Sequence, residues 1–256
     1  MVVGAGSTGP GWSNGKAAAI QFAREGASVF CVDVNGEAAE ETVHIIREEG
    51  YSAEAFTADA GNAEDVEATV AACVSRMGGI HVLHHNVGIA ALGGPVQQSL
   101  QDWERVMSVN LTSLFLLCKH ALPIMEKQGK GVITAVGSLA ANCWSGTSYV
   151  SYSASKAGMI ALIRSVALEY ASKGIRANTI LPGYMDTPTI YASLADKANI
   201  ERADFRNRRN AICPTGRMGD AWDVARAAAF LASDDAHYIT GTSLTVDGGL
   251  SQSIPV

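Results

Sequence analysis

The chain has 256 residues, 48% hydrophobic and 17% charged, with a formal net charge of −6. That length and apolar content suit one domain with a large core, and the acidic balance argues against nucleic-acid or membrane-surface binding. The five cysteines (Cys31, Cys73, Cys118, Cys143, Cys213) form no Cys-x-x-Cys pair; they read as reduced thiols of a cytoplasmic protein, with neither a signal peptide nor an apolar run of membrane-spanning length expected.

Met1-Val2-Val3 reads as a short strand, followed at once by Gly4-Ala5-Gly6-Ser7-Thr8-Gly9-Pro10-Gly11-Trp12-Ser13-Asn14-Gly15-Lys16. A helix is expected over 17–24, stopping at Gly26, and then a buried strand over 28–33 that ends in an acid. Strand, glycine-rich turn, helix, strand, acid is the order of a dinucleotide-binding βαβ unit. Glycines let the backbone approach a pyrophosphate, and the helix N-terminus offers it unpaired N–H groups. Asp33 in that place can accept hydrogen bonds from both ribose hydroxyls of an adenosine. It would repel a 2′-phosphate by about 4 kcal/mol at about 4 Å in a partly buried setting. Val34 and Asn35 follow it, with no Arg or Lys, so NAD is expected over NADP. Asp33 could also serve as a cap for the helix that begins near Gly36.

The alternation continues with a helix over 37–48, a strand over 53–57 leading to Asp59-Ala60, a helix over 63–77, and a strand over 80–85 ending in Asn86-Val87-Gly88. A long helix over about 100–125 is interrupted at Asn110 and has Pro123 near its end. A strand over 131–136 ends in Gly137-Ser138, the helix carrying Tyr152 follows, and a strand over 175–181 ends in Pro182-Gly183. A helix over 220–232 and a strand over 243–246 close the chain, and 184–218 is the longest irregular stretch. This is the pattern of an α/β chain: a doubly wound, mostly parallel seven-stranded sheet with helices on both faces, in a single domain. Ligands of such sheets bind beyond the strand C-termini, where the candidate residues fall.

Tyr152 and Lys156 are four residues apart and share one helix face. A tyrosine hydroxyl titrates near about 10, and an ammonium one turn away pulls that value down, giving a phenol able to pass a proton near neutrality. Ser138 could hold the oxygen that gains or loses it. On spacing alone, an ordinary helix surface is the better explanation of the pair, and the rest of the chain has to overturn it. His84 and His85 are adjacent, point to opposite faces of a strand and cannot easily share a metal, so no metal site is expected.

With these residues assembled, the sequence resembles the short-chain dehydrogenase/reductase family over nearly its whole length. The resemblance implies that Asp33 binds the adenosine ribose, that Asp59 and Ala60 lie at the adenine, and that Asn86-Val87-Gly88 stands for the family's Asn-Ala-Gly. It implies that Asn110, in Ser108-Val109-Asn110-Leu111, is the active-site asparagine that disturbs its helix and orders a water. Ser138, Tyr152 and Lys156 match the other catalytic residues, and Tyr152 and Lys156 also border the cofactor. Pro182, Gly183, Met185 and Thr187 match the stretch over the nicotinamide, and Val246-Asp247-Gly248-Gly249 the closing strand and turn. The reaction implied is NAD-dependent, reversible hydride transfer to or from a secondary alcohol or ketone, with Tyr152 as base, Ser138 holding the oxygen, and Lys156 lowering the Tyr152 pKa. Chains of this kind are usually homotetramers, or homodimers; Leu111, Leu114, Phe115, Cys118, Met159, Ile160 and Ile163 fit either such an interface or ordinary core.

The sequence departs from the family pattern in three places. Val3 replaces a threonine, Gly15 takes the place of the last loop glycine, and about five extra residues, Thr8 to Trp12, lie between. They are expected to bulge near the adenosine and pyrophosphate. Gly4, Ser7, Ser13, Asn14 and Gly15 would then line the phosphates, with Trp12 anchored against Asp33 and Asn35 rather than acting as a lid on the ribose. The interval from Ser138 to Tyr152 is one residue longer than usual. The first strand is short, as expected of a chain that begins late.

Ser138, Leu139, Ala140, Cys143, Trp144, Tyr149, Tyr152 and Tyr184 are expected to line the substrate pocket, with a mobile substrate loop over about 184–218. Arg206, Arg208 and Arg209 form either an anion site or a solvated face. Two alternatives stand beside the alcohol reading: a divergent enoyl reductase using the more widely spaced Tyr149 and Lys156, and a non-catalytic NAD-binding protein.

Overall fold

The computed structural model describes residues 1–144, 146–196 and 199–253. Seven strands form one sheet: β1 (Val2–Val3), β2 (Val29–Asp33), β3 (Ala53–Thr57), β4 (Val82–His85), β5 (Gly131–Val136), β6 (Ile175–Pro182) and β7 (Ser243–Val246). Their order is β3-β2-β1-β4-β5-β6-β7, and every pairing is parallel. β5 is buried along its whole length and β6 along all but Arg176, as a strand covered on both faces requires.

Nine helices flank the sheet among the described residues: α1 (Asn14–Arg24), α2 (Gly36–Glu48), α3 (Ala63–Met77), α4 (Leu100–Met107), α5 (Ser113–Gln128), α6 (Val150–Tyr170), α7 (Pro188–Ile190), α8 (Arg202–Ile212) and α9 (Ala221–Ala232). One core packs α3, α5 and α6 on the sheet through Val70, Leu117, Met125, Met159 and Ile163 against Leu83 and Ile133. The other packs α1, α2 and α9 through Ala18, Ile20, Val43, Val224 and Ala228. Alanines on α1 and α9 bring those helices close together. The chain reverses direction across the sheet between β1 and β4, which opens a crevice at their C-terminal ends.

The structure corrects several expectations. The region over 184–218 is not wholly irregular: it holds α7, a π turn at Tyr191–Ala195, and α8. Lys197 and Ala198, within the stretch expected to line the substrate pocket, lie outside the described residues. The helix over 100–128 is continuous through a π turn at Ser108–Thr112, and by length and composition (mean hydropathy 1.2) it is long and apolar enough to cross a membrane. Its Leu114, Leu117, Cys118, Ala121 and Met125 are buried in the protein core, which accounts for that apolar content. Of the residues considered for an assembly face, Leu114, Cys118, Met159 and Ile163 are likewise core, while Phe115 is half exposed.

His84 and His85 do face opposite sides of the sheet. His84 meets the Phe22 ring and pairs through Nδ1 with Thr134 Oγ1 at 2.8 Å; His85 Nε2 pairs with Ser113 Oγ at 2.8 Å. Burial pushes both imidazoles down to about 3. Among the described residues no three His, Cys, Asp or Glu side chains converge as a metal site would need.

Candidate active site

A cleft of about 1490 Å³ runs along the C-terminal ends of the central strands. At one end stands the loop between β1 and α1. Ser13 caps α1: its hydroxyl accepts from Lys16 N at 3.1 Å and donates to the Gly6 carbonyl at 2.5 Å. It therefore shapes the loop and is less free to bind a ligand than expected. The Ser7 hydroxyl is likewise turned to the Gly9 carbonyl at 2.8 Å. Asn14 opens the helix, and its buried Oδ1 has no partner among the described residues.

Two glycines make close approach possible here. A Cβ on Gly15 would stand 1.8 Å from the Gly4 carbonyl oxygen, and one on Gly6 would stand 2.9 Å from Asp33 Oδ2. Gly15 therefore packs on the Gly4 backbone where no side chain fits, which suits the place that the count back from the helix end gave it. Gly6 was missed, although its place in Gly4-x-Gly6 directly after a strand was a usable signal.

Asp33, at the end of β2, turns its carboxylate to the cleft and accepts from Gly6 N at 2.8 Å and Asn35 N at 3.0 Å. It does not cap α2; Asn35 does, accepting from Glu37 N and Ala38 N. Asn86 Nδ2 donates to the Gly4 carbonyl at 3.2 Å and ties β4's end to the loop, with Val87 and Gly88 continuing along the cleft wall. Asp59 and Ala60 are not on that wall. Asp59 is held instead by Arg105 at 3.2 Å and by Gly61 N at 2.8 Å.

Trp12 packs on a different partner than expected. Its ring lies 5.1 Å from that of Trp222 at the start of α9, not on Asp33 and Asn35. Thr8 shares a 3.2 Å hydrogen bond with Thr189, and Gly9 and Gly11 lie beside Pro188. The inserted residues therefore lean on the segment after β6.

At the other end, Ser138 follows β5, and its hydroxyl accepts from Ala140 N at 3.2 Å and hydrogen-bonds the Tyr152 phenol. Lys156, one turn beyond Tyr152, is 2% exposed and donates to the Val136 carbonyl at 2.8 Å and towards the Val87 carbonyl at 3.5 Å. Its nitrogen lies 5.7 Å from the Tyr152 ring centre. Burial raises the Tyr152 phenol, and the Ser138 hydrogen bond opposes that rise. Burial pushes Lys156 down to about 7. The expected lowering of Tyr152 by the ammonium does not appear in the ligand-free chain, because burial acts against the charged form of both groups.

Asn110 is fully buried behind the cleft, in a π turn that disturbs the helix where the resemblance implied a disturbance. Its Oδ1 accepts from Ile89 N at 2.8 Å, and its Nδ2 donates to Ile89 O and Ser155 Oγ, both at 2.9 Å. The side chain is a splint between the β4 loop and α6. Both amide N–H groups are used, and Oδ1 keeps one lone pair beyond the Ile89 N–H bond.

Ala140, Cys143, Trp144, Tyr149 and Tyr184 all reach the cleft, Trp144 with 77% of its surface exposed. The Tyr149 ring packs edge-on to Tyr152 at 5.3 Å. Pro182, Gly183, Met185 and Thr187 border the cleft along the exit of β6. Ile212, within the stretch expected to line the pocket, and Leu250 and Ser251, which sequence reasoning left out, complete the far wall.

A family model described as Enoyl-(Acyl carrier protein) reductase matches residues 11–251. A 2,5-dichloro-2,5-cyclohexadiene-1,4-diol dehydrogenase of Sphingobium indicum is 37% identical over 247 residues, covering 96% of this chain and 95% of that protein. A cyclohexanol dehydrogenase of an Acinetobacter species is 37% identical over 243 residues, covering 94% of this chain and 92% of its own length. The crystal structure of a Burkholderia xenovorans protein assigned to the short-chain dehydrogenases/reductases superposes with a TM-score of 0.95 at 41% identity, covering 99% of this chain and 96% of that one.

Proposed function

The chain belongs to the short-chain dehydrogenase/reductase family, and on that premise we propose that it is an NAD-dependent dehydrogenase of secondary alcohols carried on a ring. The observation that carries the reading is the convergence of Ser138 and Tyr152 on one cleft wall, with Lys156 one turn beyond Tyr152 and its nitrogen 5.7 Å from the centre of that ring. The cyclic alcohols and diols named for the relatives support the substrate class.

The ligand-free residues fit a dinucleotide. The close approach of Gly15 to the Gly4 backbone and the N–H groups at the N-terminus of α1 suit a pyrophosphate. Asp33 suits a ribose with free hydroxyls. Lys156 and Arg209 are the only cations on the described cleft wall, and no Arg or Lys lies on it beside Asp33 to receive a 2′-phosphate. Pro182, Gly183, Met185 and Thr187 would border the nicotinamide. The residues over 184–218 would form the substrate segment of a single nucleotide-binding domain.

When bound, the dinucleotide supplies a hydride acceptor. Tyr152, as phenolate, takes the proton of the substrate hydroxyl. Ser138 donates to the same oxygen and holds it as charge shifts there. Lys156 sits on main-chain carbonyls of β5 and the β4 loop, where its charged form favours the phenolate and can reach a ribose hydroxyl. Asn110 fixes the loop after β4 against α6. The aromatic wall of Tyr149, Tyr184 and Trp144 suits a ring-bearing alcohol.

An NAD-reduction assay across cyclic secondary alcohols tests this. Activity is expected with at least one, lost in Tyr152→Phe and kept in Tyr149→Phe. The description of the matching family model favours a second reading, enoyl reduction through Tyr149; loss in Tyr149→Phe alone, with turnover of an enoyl thioester, would establish that instead. Phe115 and Leu168, exposed on α5 and α6, support a homotetramer or homodimer. A cytoplasmic location accords with the free cysteines.

A further inference from the structure

The run Arg206, Arg208, Arg209 resolves into three different situations. Arg206 faces Asp186 at 3.3 Å and donates to the Tyr191 hydroxyl at 3.1 Å. Arg208 is exposed. Arg209 lines the cleft, with its guanidinium carbon 4.0 Å from the centre of the Tyr184 ring and 4.6 Å from that of Phe205. It forms no salt bridge or hydrogen bond among the described residues. Its electrostatic neighbours are phenols and a thiol, namely Tyr184, Tyr149, Cys213 and Tyr191, with no carboxylate among them. Burial lowers its pKa, the usual sign of a cation without a counter-ion.

The charges on the described cleft wall are Asp33, Lys156 and Arg209. Asp33 accepts from Gly6 N and Asn35 N, and Lys156 donates to main-chain carbonyls. Arg209 is the one charged group of the described cleft wall with no hydrogen bond among the described residues. Aromatic rings hold its planar fork by stacking, which leaves the N–H edges available. Tyr149 shares the cleft wall with Arg209 and interacts with it electrostatically, and its ring lies 5.3 Å from that of Tyr152. An alcohol delivered to Tyr152 and spanning roughly one ring would bring its far substituent towards the guanidinium. A half-buried guanidinium in a water-poor, aromatic setting favours a planar anion.

We propose that Arg209 is a specificity-determining residue that binds a carboxylate carried by the substrate, across the ring from the hydroxyl that Tyr152 deprotonates. This rests on the dehydrogenase reading for the identity of the hydroxyl, but the anion site can be measured apart from turnover. Arg209 takes no part in the proton or hydride step and acts through substrate affinity.

The test is calorimetric binding of cyclohexanecarboxylate and of its neutral isostere, cyclohexanecarboxamide, in the presence of NAD. The wild-type chain should bind the carboxylate at least about tenfold tighter, as a charge-assisted bidentate pair predicts. Arg209→Met, which keeps the stacked stem and removes the charge, should bind both alike, and Arg209→Lys should keep part of the preference. Should Arg209→Met fail to fold, Arg209→Gln serves the same purpose, with melting temperature as the check. Equal binding of the two probes by the wild type, no measurable carboxylate binding, or a preference that survives in Arg209→Met would overturn the proposal. Oxidation of 4-hydroxycyclohexanecarboxylate is read separately. A chain that binds the anion through Arg209 yet oxidises no alcohol would keep the site and lose the dehydrogenase reading.

Discussion

Lys156 holds its ammonium nitrogen 5.7 Å from the centre of the Tyr152 ring and donates to the Val136 carbonyl at 2.8 Å, so in the ligand-free chain it bonds backbone, not the phenol. What lowers the Tyr152 pKa here is the Ser138 hydroxyl, against a larger rise from burial. Ser138→Ala should therefore move the rising limb of the oxidation pH–rate profile to higher pH, besides lowering kcat/KM by about 10²–10³. The check is a profile of kcat/KM from pH 6 to 10.5 for both chains; coincident limbs would count against a Ser138 contribution to the phenol.

Lys156 also marks the stability of the ligand-free protein. Its folded value is about 7 and an unfolded lysine titrates near about 10.4. Between those values the unfolded chain binds the proton that the folded chain has released, so stability rises with pH across the window. The rise should be on the order of a few kcal/mol and should be missing from Lys156→Met. Thermal melts from pH 6.5 to 10 without cofactor decide it, a flat wild-type curve being the adverse result.

His84 and His85 act in the acid range. Each is buried and pushed to about 3, below the ordinary value near about 6.5, so protons favour the unfolded chain as pH falls between the two. The melting temperature should drop steadily from pH 6.5 downward. His84→Asn, which can keep a bond to Thr134, should melt lower at neutral pH but with a shallower acid slope. An unchanged slope would show that other groups control acid unfolding.

Asp33 should set a preference for NAD over NADP of at least about tenfold in kcat/KM. Because its carboxylate also receives Gly6 N, replacement by alanine would loosen the phosphate loop as well. Asp33→Asn keeps an acceptor and removes the charge, and together with Val34→Arg it should reverse the preference. Equal use of both cofactors by the wild type would falsify the assignment.

Trp12→Ala should lower the stability of the cofactor-free protein by about 1–3 kcal/mol, since it removes an aromatic contact with Trp222 and a cation contact with Lys16. A denaturant melt reads this directly. Unchanged stability with weakened NAD binding would instead make Trp12 a lid on the ligand.

The sheet was legible because buried parallel strands appear as short apolar runs between helical stretches; β3, β5 and β7 fall where the alternation put them. The cleft residues were legible through strand ends: Asp33, Asn86, Ser138 and Gly183 all lie at or just beyond one. Helix α8 was not, because Arg202–Ile212 buries only Phe205 and carries four arginines, leaving no apolar stripe to read. The partner of Trp12 was hidden for another reason: Trp222 lies near the opposite end of the chain, and no local pattern reports so distant a contact. The same holds for Arg105, which pairs with Asp59 across 46 residues of sequence. The direction of the Tyr152 shift was misread because helical spacing gives proximity but not burial, and here burial is the larger effect.

The hydrogen bond between Thr8 and Thr189 and the contact of Gly9 and Gly11 with Pro188 join the dinucleotide loop to the segment bordering the substrate. Two ligands that each order one side of such a joint share the entropic cost of ordering it, so each makes the other bind more tightly. Thermodynamic reciprocity then requires that NAD strengthen the binding of a ring carboxylate by the same factor as the carboxylate strengthens that of NAD. Cutting the joint with Thr8→Ala and Thr189→Ala should reduce both factors together, leaving two ligands that occupy one cleft as if in separate proteins. Paired titrations that show equal factors in the variant and the wild type would mean the joint transmits nothing.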